Sequence, residues 1–166
     1  MTQQPSVTPA RSAGSADRVR ATLDACGLAD AIVIFEQSTK TAQMAADAMG
    51  CELGQIVKSI VFVADGSPVV ALVAGDRRGD TDAIATELGA NKVRMADADT
   101  VREATGYAIG GVSPFDLPEE LPVLVDDSLG RFDVLYPAAG TPQSMVRMDR
   151  EKLLTLVGGR VARISS

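Results

Sequence analysis

The stretch Ile56-Val57-Lys58-Ser59-Ile60-Val61-Phe62-Val63 decides how this chain is read. Its length and β-branched side chains are those of a buried strand, and a lysine inside it is out of place. An ammonium withdrawn from water without a partner is costly, so such a lysine snorkels, pairs with an anion, or is held to meet an anionic ligand. The chain has four lysines and no histidine. The usual neutral-pH acid–base group and the commonest metal ligand are therefore missing.

Downstream of this strand, Asp65-Gly66-Ser67 predicts a turn into a second strand, Pro68 to Ala74, paired with the first as a hairpin. Gly75 to Gly79 reads as an exposed loop, Asp80 to Leu88 as a capped helix closed by Gly89, Lys92 to Met95 as a short strand, and Asp97 to Thr105 as a helix stopped by Gly106. Upstream, Thr41 to Met49 is helical, with Ala42, Ala45, Ala46 and Met49 on one face, and Ala31 to Phe35 is a strand. A first helix begins at Ser15 and turns Val19, Leu23 and Cys26 inward before Gly27 ends it. Residues 1–14 lack periodicity and are expected to be a disordered tail, which leaves 15–166 as a single domain.

Past Gly106 the regular pattern stops, and the prolines and glycines up to Pro122 predict a long loop across one face. Val123 to Asp126 and Phe132 to Tyr136 follow as strands, then Ser144 to Met148, a helix from Asp149 to Gly158, and Val161 to Ile164. Helices and hairpins alternate irregularly, which predicts an α/β (α+β) protein with a mixed sheet, not a regular doubly wound one. No solenoid repeat is visible.

Hydrophobic residues make up 46% of the chain and aromatics 4%, so the core is built from aliphatic side chains. A net charge of −6 weakens any general affinity for polyanions, so contact with nucleic acid must be local. Arg77, Arg78, Lys92, Arg94 and Arg102 form a basic rim or a set of ordinary solvated charges. Cys26 and Cys51 read as reduced core residues of a cytoplasmic protein, without the companions that a metal or redox pair requires. No apolar run approaches the roughly 20 residues of a membrane span.

Gly106-Tyr107-Ala108-Ile109-Gly110-Gly111-Val112-Ser113-Pro114 places adjacent glycines between apolar residues and a Ser-Pro. Glycines let backbone N–H groups approach a ligand unobstructed, as oxyanion-binding loops require. A bare Gly-Gly is more often a tight turn that needs positive φ. It is no P-loop, lacking a following helix and a Gly-Lys-Ser/Thr.

Taken with Thr41-Ala42-Gln43-Met44-Ala45-Ala46 and Leu121-Pro122-Val123-Leu124-Val125-Asp126, the lysine strand and the Gly110-to-Pro114 loop resemble the YbaK family, the domain shared with the editing insertion of bacterial prolyl-tRNA synthetases. The resemblance runs from about residue 17 to the C-terminus. It implies a curved, barrel-like mixed β-sheet flanked by helices, and a trans-editing deacylase that hydrolyses the ester of a mischarged tRNA. No metal or cofactor is implied, nor DNA or membrane. The implied partners are the 3′ acceptor end of aminoacyl-tRNA and an aminoacyl-tRNA synthetase.

By the same resemblance, Lys58 holds the terminal phosphate or polarises the ester, and the Gly110 and Gly111 amides meet the carbonyl oxygen. Ser113, Pro114 and Asp126 match family positions, with capping and loop-bracing as their ordinary alternatives. Ile32, Ile60 and Val112 are candidates for the wall of a pocket that admits a small amino acid such as Ala, Ser, Cys or Thr. Thr141 stands where some relatives carry histidine, which leaves the amino acid open. A non-catalytic module that binds nucleotide, aminoacyl-tRNA or synthetase, and an esterase for small non-tRNA esters, remain as rival functions.

Overall fold

The computed structural model describes residues 14–39 and 41–166. The expected tail, apart from Gly14, lies outside the described residues.

Strands β2 (Ile56–Ala64) and β3 (Ser67–Ala74) form the predicted hairpin through Asp65-Gly66, in antiparallel register from Val57 opposite Ala74 to Ala64 opposite Ser67. Asp65 sits at φ 49 and Gly66 at φ 87, the paired positive values that a two-residue hairpin turn demands. The other strands of this sheet are β4 (Val93–Met95), β5 (Val123–Asp126), β6 (Val134–Pro137), β8 (Met148–Asp149) and β9 (Arg160–Ala162). The sheet runs β8-β6-β2-β3-β5-β9, with β4 also on β2, and curls into a half barrel. Parallel pairs (β2–β6, β3–β5, β5–β9) mix with antiparallel ones (β2–β3, β2–β4, β6–β8), as the irregular alternation of elements predicts. A separate two-stranded ribbon joins β1 (Ile32–Ile34) to β7 (Ser144–Val146).

Because side chains alternate along a strand, β2 and β3 feed two cores. Val57, Val61, Val63, Val70 and Leu72 join the larger one, with Val19 and Leu23 from helix α1 (Ser15–Asp24) and Tyr107, Val112 and Phe115 from the long loop. Phe62, Val69, Ala71 and Val73 pack on the opposite face with Ile84 of α3 (Thr81–Leu88). Helix α2 (Ala42–Met49) lays Ala45 and Ala46 beside Ile56, its small side chains permitting close approach. Helices α4 (Ala98–Thr105) and α5 (Arg150–Val157) complete the set, each ended by a left-handed glycine as the sequence signals.

Two expectations need correcting. Cys26 is exposed and Cys51 only half-buried; α1 stops at Asp24, so Cys26 falls in the following turn and not on the helix's inward face. The strand expected over Ser144 to Met148 is broken at Arg147, whose N–H donates to the Ala31 carbonyl oxygen, so β7 pairs with β1 and β8 with β6.

Candidate active site

A cavity of about 290 Å³ opens beside β2. Lys58, Ser59 and Ile60 of that strand line it, facing Ile109, Gly110 and Val112 of the long loop, with Ala45 of α2, Met95 at the end of β4 and Met145 of β7 around them. Four residues singled out in the sequence, Lys58, Ile60, Gly110 and Val112, thus share one concavity.

Lys58 is half-buried, and its Nζ donates to the carbonyl oxygen of Arg77 in the loop after β3. Burial lowers its pKa from the usual lysine value, the nearby charge of Arg78 adds to the effect, and Asp76 opposes it. Asp76 is held by a two-pronged contact with Arg131, Nη1 to Oδ2 at 2.9 Å and Nη2 to Oδ1 at 2.7 Å. That contact keeps the Asp76 pKa below the usual carboxylate range. Its carboxylate is thereby committed to arginine, and Lys58 makes no salt bridge among the described residues.

The two glycines differ. Gly110 sits at φ 87, where only glycine is unstrained, and its N–H has no backbone acceptor among the described residues. The Gly111 N–H instead closes the turn onto the Ala108 carbonyl oxygen at 2.9 Å, so it is not available to a ligand as expected. Gly111 backs onto the chain at Thr141 and Pro142, and the Thr141 hydroxyl lies 2.7 Å from the Ser144 hydroxyl. The bend is braced from below: the fully buried Tyr107 donates its hydroxyl to the Phe115 carbonyl oxygen at 2.6 Å, and burial pushes its pKa up to about 12. Arg18 stacks on the Tyr107 ring at 4.4 Å and reaches Asp116 (2.9 Å) and the Thr105 carbonyl oxygen (3.1 Å).

Ser113, Pro114, Asp126 and Ile32 do not line this cavity. Ser113 is fully buried, its Oγ accepting from the Phe115 N–H at 3.4 Å, and Pro114 is buried beside it, because the loop folds inward there as part of the core. Asp126 is fully buried at the end of β5 and accepts from the Ser128 N–H and hydroxyl, the Ser165 hydroxyl and the Ile164 N–H. It braces the C-terminal segment. Burial alone would raise its pKa, but the Ser128 and Ser165 hydroxyls and the Ile164 and Ser128 amides outweigh that and hold it low. Ile32 pairs with Val146 in the ribbon and packs on the larger core.

Sequence reading passed over Ser59, Ile109, Met95 and the two threonines Thr39 and Thr41, which also line the cavity. Ser59 carried a signal: it is the one hydroxyl in the apolar strand, on the same face as Val57 and Val61. Of the candidate basic residues, Arg77, Arg78 and Arg94 are exposed on segments adjoining the cavity-lining Lys58 and Met95, whereas Arg102 lines a different hollow with Arg18 and Glu103. Among the described residues no three His, Cys, Asp or Glu side chains gather to hold a metal, and no helix is long and apolar enough to cross a membrane.

The model of a family described as aminoacyl-tRNA editing domain matches residues 36–156. An uncharacterized protein of Bacillus subtilis, YwhH, is 38% identical over 120 residues, covering 72% of this chain and 76% of that protein. A candidate Cys-tRNA(Pro)/Cys-tRNA(Cys) deacylase of Enterococcus faecalis, EbsC, is 28% identical over 127 residues, 76% of this chain and 77% of that one. The crystal structure of a candidate trans-editing enzyme for prolyl tRNA synthetase superposes with a TM-score of 0.83 at 38% identity, covering 97% of this chain and 99% of its own.

Proposed function

This chain belongs to the aminoacyl-tRNA editing domain family, and from that premise we propose that it is a trans-editing deacylase that hydrolyses the ester of a mischarged tRNA carrying a small amino acid. It is a hydrolase: water adds to the ester carbonyl carbon, the acyl–oxygen bond breaks, and the terminal ribose oxygen leaves with a proton as the amino acid is released. An aminoacyl ester is already activated, so orienting the water and stabilising the carbonyl oxygen suffice, and no histidine or covalent nucleophile is required. The neighbouring ribose hydroxyl of the substrate takes up the water's proton while passing its own to the departing ribose oxygen, so that the proton lost by water is the one gained by the leaving group.

Lys58 is the positioning cation. One of its three N–H bonds goes to Arg77, which leaves two for the phosphate or ester of the acceptor end. The Gly110 N–H is assigned to the carbonyl oxygen. Ile60 and Val112 restrict the side chain by size, the inexpensive form of discrimination in an apolar pocket. Residues 15–166 act as one catalytic unit, the partner synthetase being that for proline, and the compartment is the cytoplasm, where charged tRNA is found.

The observation that carries this reading is that Lys58 and Gly110, far apart in sequence, line the same small cavity in a member of this family. The test is release of labelled amino acid from a panel of mischarged tRNAs by parent and Lys58→Ala, with circular dichroism as the folding check. Losing a preorganised electrostatic contact is expected to lower the rate by about 10²–10³-fold. Equal rates remove Lys58 from the mechanism, and a parent inactive on every charged tRNA favours a binding module.

A further inference from the structure

Strand β2 has a bare edge at the cavity. β6 pairs with it only at Ile56 and Val57, and β4 only from Phe62 to Ala64. Between them the side of β2 away from β3 carries no strand among the described residues. Among the described residues, only the Val61 carbonyl oxygen receives a backbone hydrogen bond there, from the Ala96 N–H at 3.0 Å. The Gly75 N–H donates to the Ile56 carbonyl oxygen, so the even-numbered residues of β2 are those whose main-chain groups face β3. Antiparallel alternation then turns the N–H and C=O of Ser59 toward the bare side. The residues that bound the gap, Ala138 past β6 and Met95 and Ala96 at β4, line the cavity as well.

The Ser59 side chain tells the same story. Its Oγ is buried and has no hydrogen-bond partner among the described residues. The cavity's other hydroxyls are engaged: Thr39 Oγ1 donates to the Pro142 carbonyl oxygen at 3.1 Å, and Thr41 Oγ1 caps α2 by accepting from the Met44 N–H at 3.1 Å. Buried polar groups are ordinarily satisfied, and one left open at a binding cavity is kept for a ligand.

We propose that the aminoacyl group of the substrate fills this gap as a one-residue strand. Its α-ammonium donates to the Ser59 carbonyl oxygen, and the Ser59 N–H donates to its acyl carbonyl oxygen, while the Ser59 hydroxyl supplies a second acceptor for the ammonium. The inference rests on the deacylase reading of the cavity. An α-aminoacyl ester presents a donor and an acceptor with the spacing of a residue's own N–H and C=O, which is what an open strand edge recognises. Ser59 therefore reads the part common to all amino acids, and the apolar walls sort side chains. Its N–H also gives Gly110 the companion donor that Gly111, closed onto Ala108, does not provide.

The test is NMR on the ¹⁵N-labelled full chain with two non-hydrolysable probes: 3′-(L-alanylamino)-3′-deoxyadenosine and its 3′-propionylamino counterpart, which lacks the α-amine. The Ser59 amide proton is expected to move downfield and exchange more slowly with both, and the propionyl compound to bind about tenfold more weakly. If the Gly110 and Val112 amides respond to the alanyl probe and Ser59 does not, the inference falls while the deacylase reading stands. If no cavity amide responds to either probe, both fall. Ser59→Ala separates ligand contact from packing: an unchanged or higher melting temperature with several-fold weaker alanyl binding supports the role, because removing an unpartnered buried hydroxyl does not harm the fold. A lower melting temperature with unchanged binding takes the hydroxyl out of it.

Discussion

Lys58 is held by its backbone in a strand and by its amine at the Arg77 carbonyl, and its pKa is lowered because burial and Arg78 both disfavour the charge. If that charge holds the substrate, activity is lost as pH rises through the lowered pKa, below the roughly 10.4 of a free lysine. A pH profile of kcat/KM, corrected for spontaneous ester hydrolysis, is expected to show an alkaline decline that Lys58→Arg abolishes, since a guanidinium stays charged throughout. A decline that persists in the arginine variant assigns it to another group. That a charge stands in this strand is legible in the sequence. That Asp76, the carboxylate whose charge acts on Lys58, is taken by Arg131 is not, because that contact joins residues 55 positions apart.

At the scale of the element, the bend at Ile109 to Val112 separates two glycines that look alike on paper. Gly110 sits at φ 87 and a side chain there is strained whatever the space, whereas a Cβ on Gly111 would meet Thr141 and Pro142 at 3.4 to 3.5 Å, ordinary contact. Gly110→Ala is therefore expected to cost about 1–2 kcal/mol of stability and to shift the bend out of register with the cavity, lowering deacylation by about tenfold or more. Gly111→Ala should keep its melting temperature within about 2 °C of the parent. Melting curves and single-turnover rates on both variants check this, and equal losses would show that the two positions are not distinguished by conformation.

Across the whole molecule, Asp126 ties β5 to the C-terminal segment through Ile164 and Ser165 and to the turn at Ser128, so its effect belongs to the fold and not to the cavity. Its pKa is depressed on folding, so the stability it contributes is present above the unfolded carboxylate value of about 3.9 and is lost as pH falls through the lower folded value. Asp126→Asn, which replaces an acceptor by a donor facing donors, is expected to cost about 1–3 kcal/mol at pH 7, with less difference from the parent in acid. Denaturant melts at pH 7 and pH 3 measure it, and a loss of activity without loss of stability would return Asp126 to the site. The net charge of −6 sets a further expectation: KM for aminoacyl-tRNA rises with added salt, because few phosphates are met and those electrostatically, while KM for aminoacyl-adenosine stays flat. Parallel salt titrations of the two substrates decide it.

The amino-acid sequence by itself determined the hairpin of β2 and β3, the glycine stops of α2 to α5, the inward face of α2 and the misplaced lysine, because strand alternation, helical spacing and turn chemistry are local properties of consecutive residues. The tertiary structure alone decided which edge of β2 is left uncovered at Ser59, that Ser113 and Asp126 turn into the core, and that the Gly111 amide is closed onto Ala108. Whether a polar group meets a ligand or a neighbour depends on which distant segments arrive beside it, and β4 and β6 reach β2 from tens of residues away, a distance over which local pattern carries no information.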